Sequence, residues 1–243
     1  MPPTPDPALV ADLVSANHIL YAHGVLDGFD HVSCRHDQAP GLFLISRSMA
    51  PAMVTADDIM ACDLDGQAVD ARGRRTYVER FIHSAIYSAR PDIRAIVHSH
   101  SPALIPFGVT GARLRPVCHM AGFLGGKNGA PNFEIRDQLG EASDLLIRTQ
   151  ALGEALAKTL GDAAVALMRG HGSVTVGVSL RQAVFRAIYA ESNAALQSAA
   201  MRLGEVNFLT EQEARMAAAA NDEHLDRPWQ LWLRELNVSA RER

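Results

Sequence analysis

The sequence predicts an α/β fold in which one mixed or antiparallel sheet carries helices on its faces. Three observations lead there. Segments with strand-like and helix-like apolar periods are interspersed along the 243 residues. The breaks between them are short enough to join antiparallel neighbours. Neither a GxGxxG following a strand nor a GxxxxGK[ST] loop occurs, so a parallel nucleotide-binding sheet is not indicated.

Taken in order, the proline-rich start, with Pro2, Pro3, Pro5 and Pro7, reads as a flexible lead-in over 1–7. Leu9, Leu13, Ile19 and Leu20 then recur at helical spacing up to Gly24. "GLFLISRS" and "IMACDLDG" read as strands, and "DLDG" supplies turn chemistry at the end of the second. A helix is expected over 78–89, with Pro91 just beyond it. "IRAIVHSH" is a buried strand. From 106 to 140 the pattern is broken by six glycines between 108 and 129, which predicts a long irregular connection with one short helix. A helix over 141–160 stops at Gly161. "AAVALMRG" and "SVTVGV" are strands flanking His171. Ser179 caps a long helix over 180–203, and "TEQE" at 210–213 is a capping box for a last helix.

Composition narrows the function classes. A hydrophobic content of 48% suits one sizeable domain or two small ones with a real core. The formal charge of −4 and the lack of any basic run longer than "RGRR" argue against a nucleic-acid partner. Cys34, Cys62 and Cys118 are odd in number and form no CxxC pair, as expected of reduced thiols. No apolar stretch approaches the roughly 20 residues of a membrane span, and the start lacks a signal-peptide pattern. A cytoplasmic protein is the expectation.

The chemistry concentrates on histidines. His98 and His100 lie two apart on a strand and so project from one face. Two imidazoles side by side are either part of a transition-metal site or a hydrogen-bonded pair; the spacing alone does not choose. "MRGHGSVTVG" sets His171 between two glycines, which permit close backbone approach or unusual dihedrals. Three histidines arranged facially would leave coordination positions open, as catalytic sites require. Glu79 opens the helix just before the HxH strand. It suits a metal or substrate contact, and equally a first-turn glutamate favoured by the helix dipole.

The order of these features resembles the class II aldolase/adducin family. The matching segments are Glu79 to His83 as "ExxxH", then "RPDIRAIVHSHSP", then "HGSVTVG", with "HVSCR" and "FLISRS" falling where that family has substrate-binding loops. The resemblance covers roughly residues 8–205. It implies a single three-layer α/β/α domain, with 205–243 as a helical extension. It also implies one divalent cation per subunit (Zn, Mn, Co or Fe) on His98, His100 and His171, with Glu79 as general acid/base or fourth ligand. A homotetramer or higher homo-oligomer is implied as well.

Departures from the phosphosugar aldolases of that family suggest a different substrate. Asp30-His31 stands in place of Gly-Asn before Val32-Ser33. Ser46-Arg47-Ser48-Met49-Ala50-Pro51 replaces a hydroxyl-and-glycine turn, and Tyr77-Val78 replaces small hydroxyl residues before Glu79. Phosphate cradles are built from glycine-exposed amides and short hydroxyls. Arg47 offers a carboxylate fork instead. The combination resembles the decarboxylase branch of the family, which includes hydroxymethylpyridine-dicarboxylate and dihydroxyphthalate decarboxylases. It implies a small hydroxy-carboxylate substrate, with Arg47, Ser46, Ser48, Ser33 and Tyr189 in contact with it. His31 would act on a substrate oxygen and His119 would be a proton donor. Asn193 shares a helix face with Tyr189, and His83 would stand behind Glu79. The alternatives are a metal-dependent aldolase or epimerase for a non-phosphorylated hydroxy-keto compound, and a non-catalytic adducin-like interaction domain.

Overall fold

A computed structural model describes residues 3–241. Seven strands form one sheet: β1 (His31–Arg35), β2 (Leu42–Ser46), β3 (Ile59–Asp63), β4 (Ala95–Ser99), β5 (Asn132–Phe133), β6 (Val165–Met168) and β7 (Gly172–Gly177). Their spatial order is β3-β2-β1-β4-β7-β6-β5. Every pairing is antiparallel except β5 with β6, so the sheet is mixed.

Helices cover both faces, which gives the three-layer α/β/α sandwich. On one face α1 (Pro7–Ala22), α6 (Leu180–Leu203) and α8 (Asp226–Arg241) pack over Val32, Leu44, Ala61, Ala95 and Val97. On the other, α2 (Arg80–Ala89) and α5 (Gln150–Leu160) cover Phe43, Ile45, Ile96, Val174 and Val176. The alternation of Ala95 and Val97 with Ile96 along β4 is the strand period at work. Both faces are buried, so the central strands have no polar outer side to spare.

Several elements differ from the sequence expectation. "HVSCR" is a strand rather than a loop, buried throughout. His31 and Ser33 are polar, which hides its strand pattern; both face α2 side chains that hydrogen-bond them. The helix expected over 141–160 begins only at Gln150. Gly140 and Leu145 have positive φ, and Thr149 caps α5 by accepting from the Leu152 amide. The stretch expected as an irregular connection holds α3 (Ile105–Val109), a 3₁₀ segment at His119–Leu124, the short strand β5 and then α4 (Arg136–Leu139). The last helix is two helices, α7 (Glu211–Asp222) and α8. The Thr210–Glu213 capping box starts the first, and the buried Trp229 and Trp232 fasten the second to α1 and α6. In the lead-in, the Pro3 carbonyl accepts from the His36 ring, and the Asp6 amide donates to Asp37; residues 1 and 2 lie outside the described residues. No described helix is long and apolar enough to cross a membrane.

Candidate functional site

Strand parity delivers the first two histidines. His98 shares its face of β4 with Ile96, on the α2 side, and His100 follows just past the strand end. His31 of β1 is the direct cross-strand partner of His98. The third histidine comes from the β6–β7 hairpin, where Met168 pairs with Gly172 around a loop of Arg169, Gly170 and His171. Gly170 takes the left-handed conformation this loop needs, at φ +66°. A Cβ on Gly172 would lie 2.1 Å from the Ser99 carbonyl oxygen, so only glycine lets β7 press this closely on β4. Glu79 occupies the N-cap position of α2.

The four side chains converge. One ligand atom from each of Glu79, His98, His100 and His171 lies within 4.8 Å of all the others. Glu79 Oε2 is 3.4 Å from His171 Nε2 and 3.7 Å from His98 Nε2, and His100 Nε2 is 3.1 Å from His171 Nε2. Behind them, acceptors fix the rings. His98 Nδ1 lies 3.1 Å from the Ser173 carbonyl oxygen, which can only accept, so the proton sits on Nδ1. Its Nε2 is a bare lone pair, buried without a hydrogen-bond partner. His100 Nδ1 faces two carboxylates, Asp27 Oδ2 at 3.2 Å and Asp30 Oδ1 at 3.1 Å, which leaves Nε2 free for the cluster.

Electrostatics match the geometry. Burial works against charge on Glu79, but the His171 and His98 rings and the Ile147 amide outweigh it, holding the carboxyl down at about 2. The amide donates to Oε1 at 2.8 Å, so Oε2 is the oxygen turned to the histidines. Burial pushes His98 down to about 3, which keeps it a neutral ligand. For His171 burial is outweighed by Glu79, and the value rises. Burial also lifts Asp30 to about 6, against the pull of His100.

This donor set fits one divalent cation. Two donors at 2.0–2.1 Å on a tetrahedral centre stand roughly 3.3 Å apart, and the separations of 3.1, 3.4 and 3.7 Å in the cluster bracket that value. The orphaned Nε2 of His98 is the group such an ion would satisfy. Imidazole with a carboxylate suits Zn, Mn, Co or Fe.

A cavity of about 410 Å³ opens beside the cluster. His31, Ser48, Tyr77, Phe29, Met49 and Leu146 line it together with Glu79 and His100. A separate concavity near Arg90, Lys127 and Arg186 has none of the clustered ligands among its described residues.

The other sequence-predicted residues divide. His31 and Ser48 line the cavity. Arg47 lines the adjoining concavity, which shares Ser48 and Val78 with it. Its Nε is held by Asp58 at 2.6 Å, while its terminal amino groups make no hydrogen bond among the described residues. Ser46 is fully buried and bonds the Tyr77 hydroxyl, and Ser33 is buried against His83 and Tyr87; neither lines the cavity. Tyr189 packs on Phe185 with ring centroids 4.6 Å apart, half-buried against the core of the opposite face. Asn193 braces the chain at Arg115 and Val117. His119 starts the 3₁₀ segment, and its carbonyl accepts from Asn221 of α7; it is not brought to the cavity within one chain. His83 bonds His31 and Ser33 rather than Glu79.

Sequence reasoning missed Asp30, Asp27, Tyr77 and the 145–147 segment as parts of the site. Asp30 carried a usable signal, since a buried-strand histidine preceded by an acid invites the question of what that acid holds. The role of Ile147 is a backbone one and leaves no mark in side-chain chemistry.

With the site assembled, the comparisons place the chain. The family described as Class II Aldolase and Adducin N-terminal domain matches residues 11–198. The chain belongs to this family. It is 36% identical to the Decarboxylase tropJ of Talaromyces stipitatus, over 95% of each chain. It is 29% identical to a 3,4-dihydroxyphthalate decarboxylase of Arthrobacter keyseri, over 74% of each. Among solved structures, an aldolase II superfamily protein from Pseudomonas syringae superposes with a TM-score of 0.74 at 24% identity, covering 96% of this chain and 93% of that one, which supports the fold.

Proposed function

We propose that this protein is a divalent-metal-dependent decarboxylase of a hydroxylated aromatic or heteroaromatic carboxylate. The observation that carries this reading is the convergence of three histidines and Glu79, one histidine nitrogen orphaned, beside a cavity that Glu79 and His100 line and aromatic and apolar groups wall. The names of the relatives, a decarboxylase and a dihydroxyphthalate decarboxylase, support the choice of reaction. His98, His100 and His171 hold the cation, with Glu79 Oε2 as a fourth, displaceable ligand. When bound, the cation is a Lewis acid for a chelating pair of substrate oxygens and a sink for the electrons that the departing CO2 leaves behind. Tyr77 and Phe29 flank the ring. The free terminal nitrogens of Arg47 reach a carboxylate at the mouth, next to Ser48. His31, which lines the cavity, meets a substrate oxygen. A homo-oligomer completes the reading, and His119 enters an active site only across a subunit boundary.

The test is CO2 release. Zinc-, manganese- or cobalt-loaded protein, screened over hydroxylated benzoates, phthalates and pyridine carboxylates, is expected to release CO2 from at least one, and EDTA to abolish it. Cleavage of a hydroxy-keto compound into two carbonyl fragments, with no CO2 from any acid, would overturn the decarboxylase reading in favour of an aldolase.

A further inference from the structure

From the cavity wall a chain of buried polar groups runs inward: His31, His83, Ser33 and Tyr87. His31 Nδ1 lies 2.6 Å from His83 Nε2, and His83 Nδ1 lies 2.6 Å from Ser33 Oγ. Ser33 Oγ lies 2.9 Å from the Tyr87 hydroxyl. All four residues are at most 1% exposed. Both rings are buried and neither bonds a carboxylate among the described residues, so each is neutral and carries one ring proton.

The hydrogens of these groups can be placed in three ways. In the first, His31 donates from Nδ1, His83 donates from Nδ1 to Ser33, and Ser33 donates to Tyr87. The Tyr87 O–H then has nowhere to go, because Ser33 is its only partner among the described residues. In the second, His83 Nδ1–H and Tyr87 O–H both donate to Ser33 Oγ, and the Ser33 O–H is the one left over. A buried, unpaired hydroxyl costs about 1–3 kcal/mol. In the third, Tyr87 donates to Ser33, Ser33 to His83 Nδ1, and His83 Nε2–H to His31 Nδ1. Every donor then has an acceptor. The proton of His31 is left on Nε2, the one ring nitrogen not used inside the wall. His31 is a cavity-lining residue.

We infer that Ser33, acting through His83, is a positioning residue that fixes His31 as the Nε2–H tautomer, so that a neutral hydrogen-bond donor faces the cavity. Such a donor suits an oxygen that bears or develops negative charge, a carboxylate or enolate, and it rejects a ligand that offers only donors there. The tautomer follows from the hydrogen bonds alone. Its use against a substrate oxygen rests on the function proposed above.

The experiment reads the tautomer directly. Zinc-loaded protein labelled with 15N-histidine is examined by 15N spectroscopy, the His31 signals being assigned by difference with His31→Gln. The expected result is a single Nε2–H form of His31 in the wild type. In Ser33→Ala, which removes the hydroxyl that donates to His83 Nδ1, an Nδ1–H population should appear with zinc content unchanged. Ser33→Cys, which puts a weaker donor of similar size there, is expected to do the same and serves if Ser33→Ala does not fold. Tyr87→Phe leaves Ser33 donating to His83 and should stay Nε2–H; an Nδ1–H population there would overturn the assignment to Ser33. A wild-type His31 protonated at Nδ1 overturns the inference. So does a His31 that stays wholly Nε2–H in both Ser33 variants. These readouts need no turnover, so a protein that released no CO2 would refute the proposed reaction and leave the tautomer result standing. If a substrate is found, Ser33→Ala should lower kcat about tenfold with KM within twofold; unchanged kcat would overturn the donor role.

Discussion

Two groups of histidines sit on one face of the same sheet and are built on opposite rules. In the inner group every ring nitrogen of His83, and Nδ1 of His31, is spent on a neighbour. In the outer group each ring has its back nitrogen engaged or enclosed and its front nitrogen left over: His98 Nε2 has no hydrogen-bond partner, and the Nε2 atoms of His100 and His171 face each other. Two imidazole lone pairs 3.1 Å apart are a poor arrangement without a proton or a cation between them. Unmet bonding capacity, more than residue type, separates a site from its scaffold.

The sharpest break between the groups is expected from their alanine variants. His98→Ala should lose most of the bound cation and all metal-dependent activity, read by elemental analysis of the purified protein; full occupancy would remove His98 from the ligand set. His83→Ala should do the reverse. It leaves Ser33 and His31 without their shared partner, and a loss of about 2–4 kcal/mol in urea unfolding is expected, with near-stoichiometric cation. Asp30→Asn probes the boundary between the groups. Asp30 accepts from the His100 amide at 3.0 Å and backs His100 Nδ1, so cation affinity should fall about 10–100-fold, measured by competition with a chelator. Arg47→Ala lies outside both groups. It should raise KM for a carboxylate substrate about tenfold with bound cation unchanged, the worth of one charge-assisted contact. Thr210→Ala removes the α7 cap far from either group and should cost about 1 kcal/mol of stability without touching cation affinity.

The outer group was readable in the sequence because its signals are short-range. Two residues on one strand face and a histidine in a glycine-flanked hairpin need no knowledge of distant contacts. The long helix α6, its Ser179 cap and the Thr210 box were legible for the same reason. What failed depends on contacts far along the chain. Strand β1 hides because His31 and Ser33 find their partners some fifty residues away on α2. The stretch before α5 has helical composition, yet the Glu79 carboxylate holds the Ile147 amide, and the backbone follows that bond instead of its propensity. Tyr189 and Asn193 do share a helix face, but spacing could not say that one packs on Phe185 while the other props the loop at 115–117.

The pairing of His31 with His98 across one rung of the β1–β4 ladder restricts how this chain can lengthen or shorten. Side chains alternate faces along a strand, so inserting or deleting one residue in β1 would set Val32 or Asp30 opposite His98 and turn the donor toward the wrong layer. The same change in β4 would turn His98 itself away. Length variation compatible with this site is therefore confined to segments outside the ladder, such as the turn at 64–76 after β3 and the loop at 110–117. Two strands of five residues each behave as a fixed ruler, and lineages or libraries that keep the chemistry must keep their count.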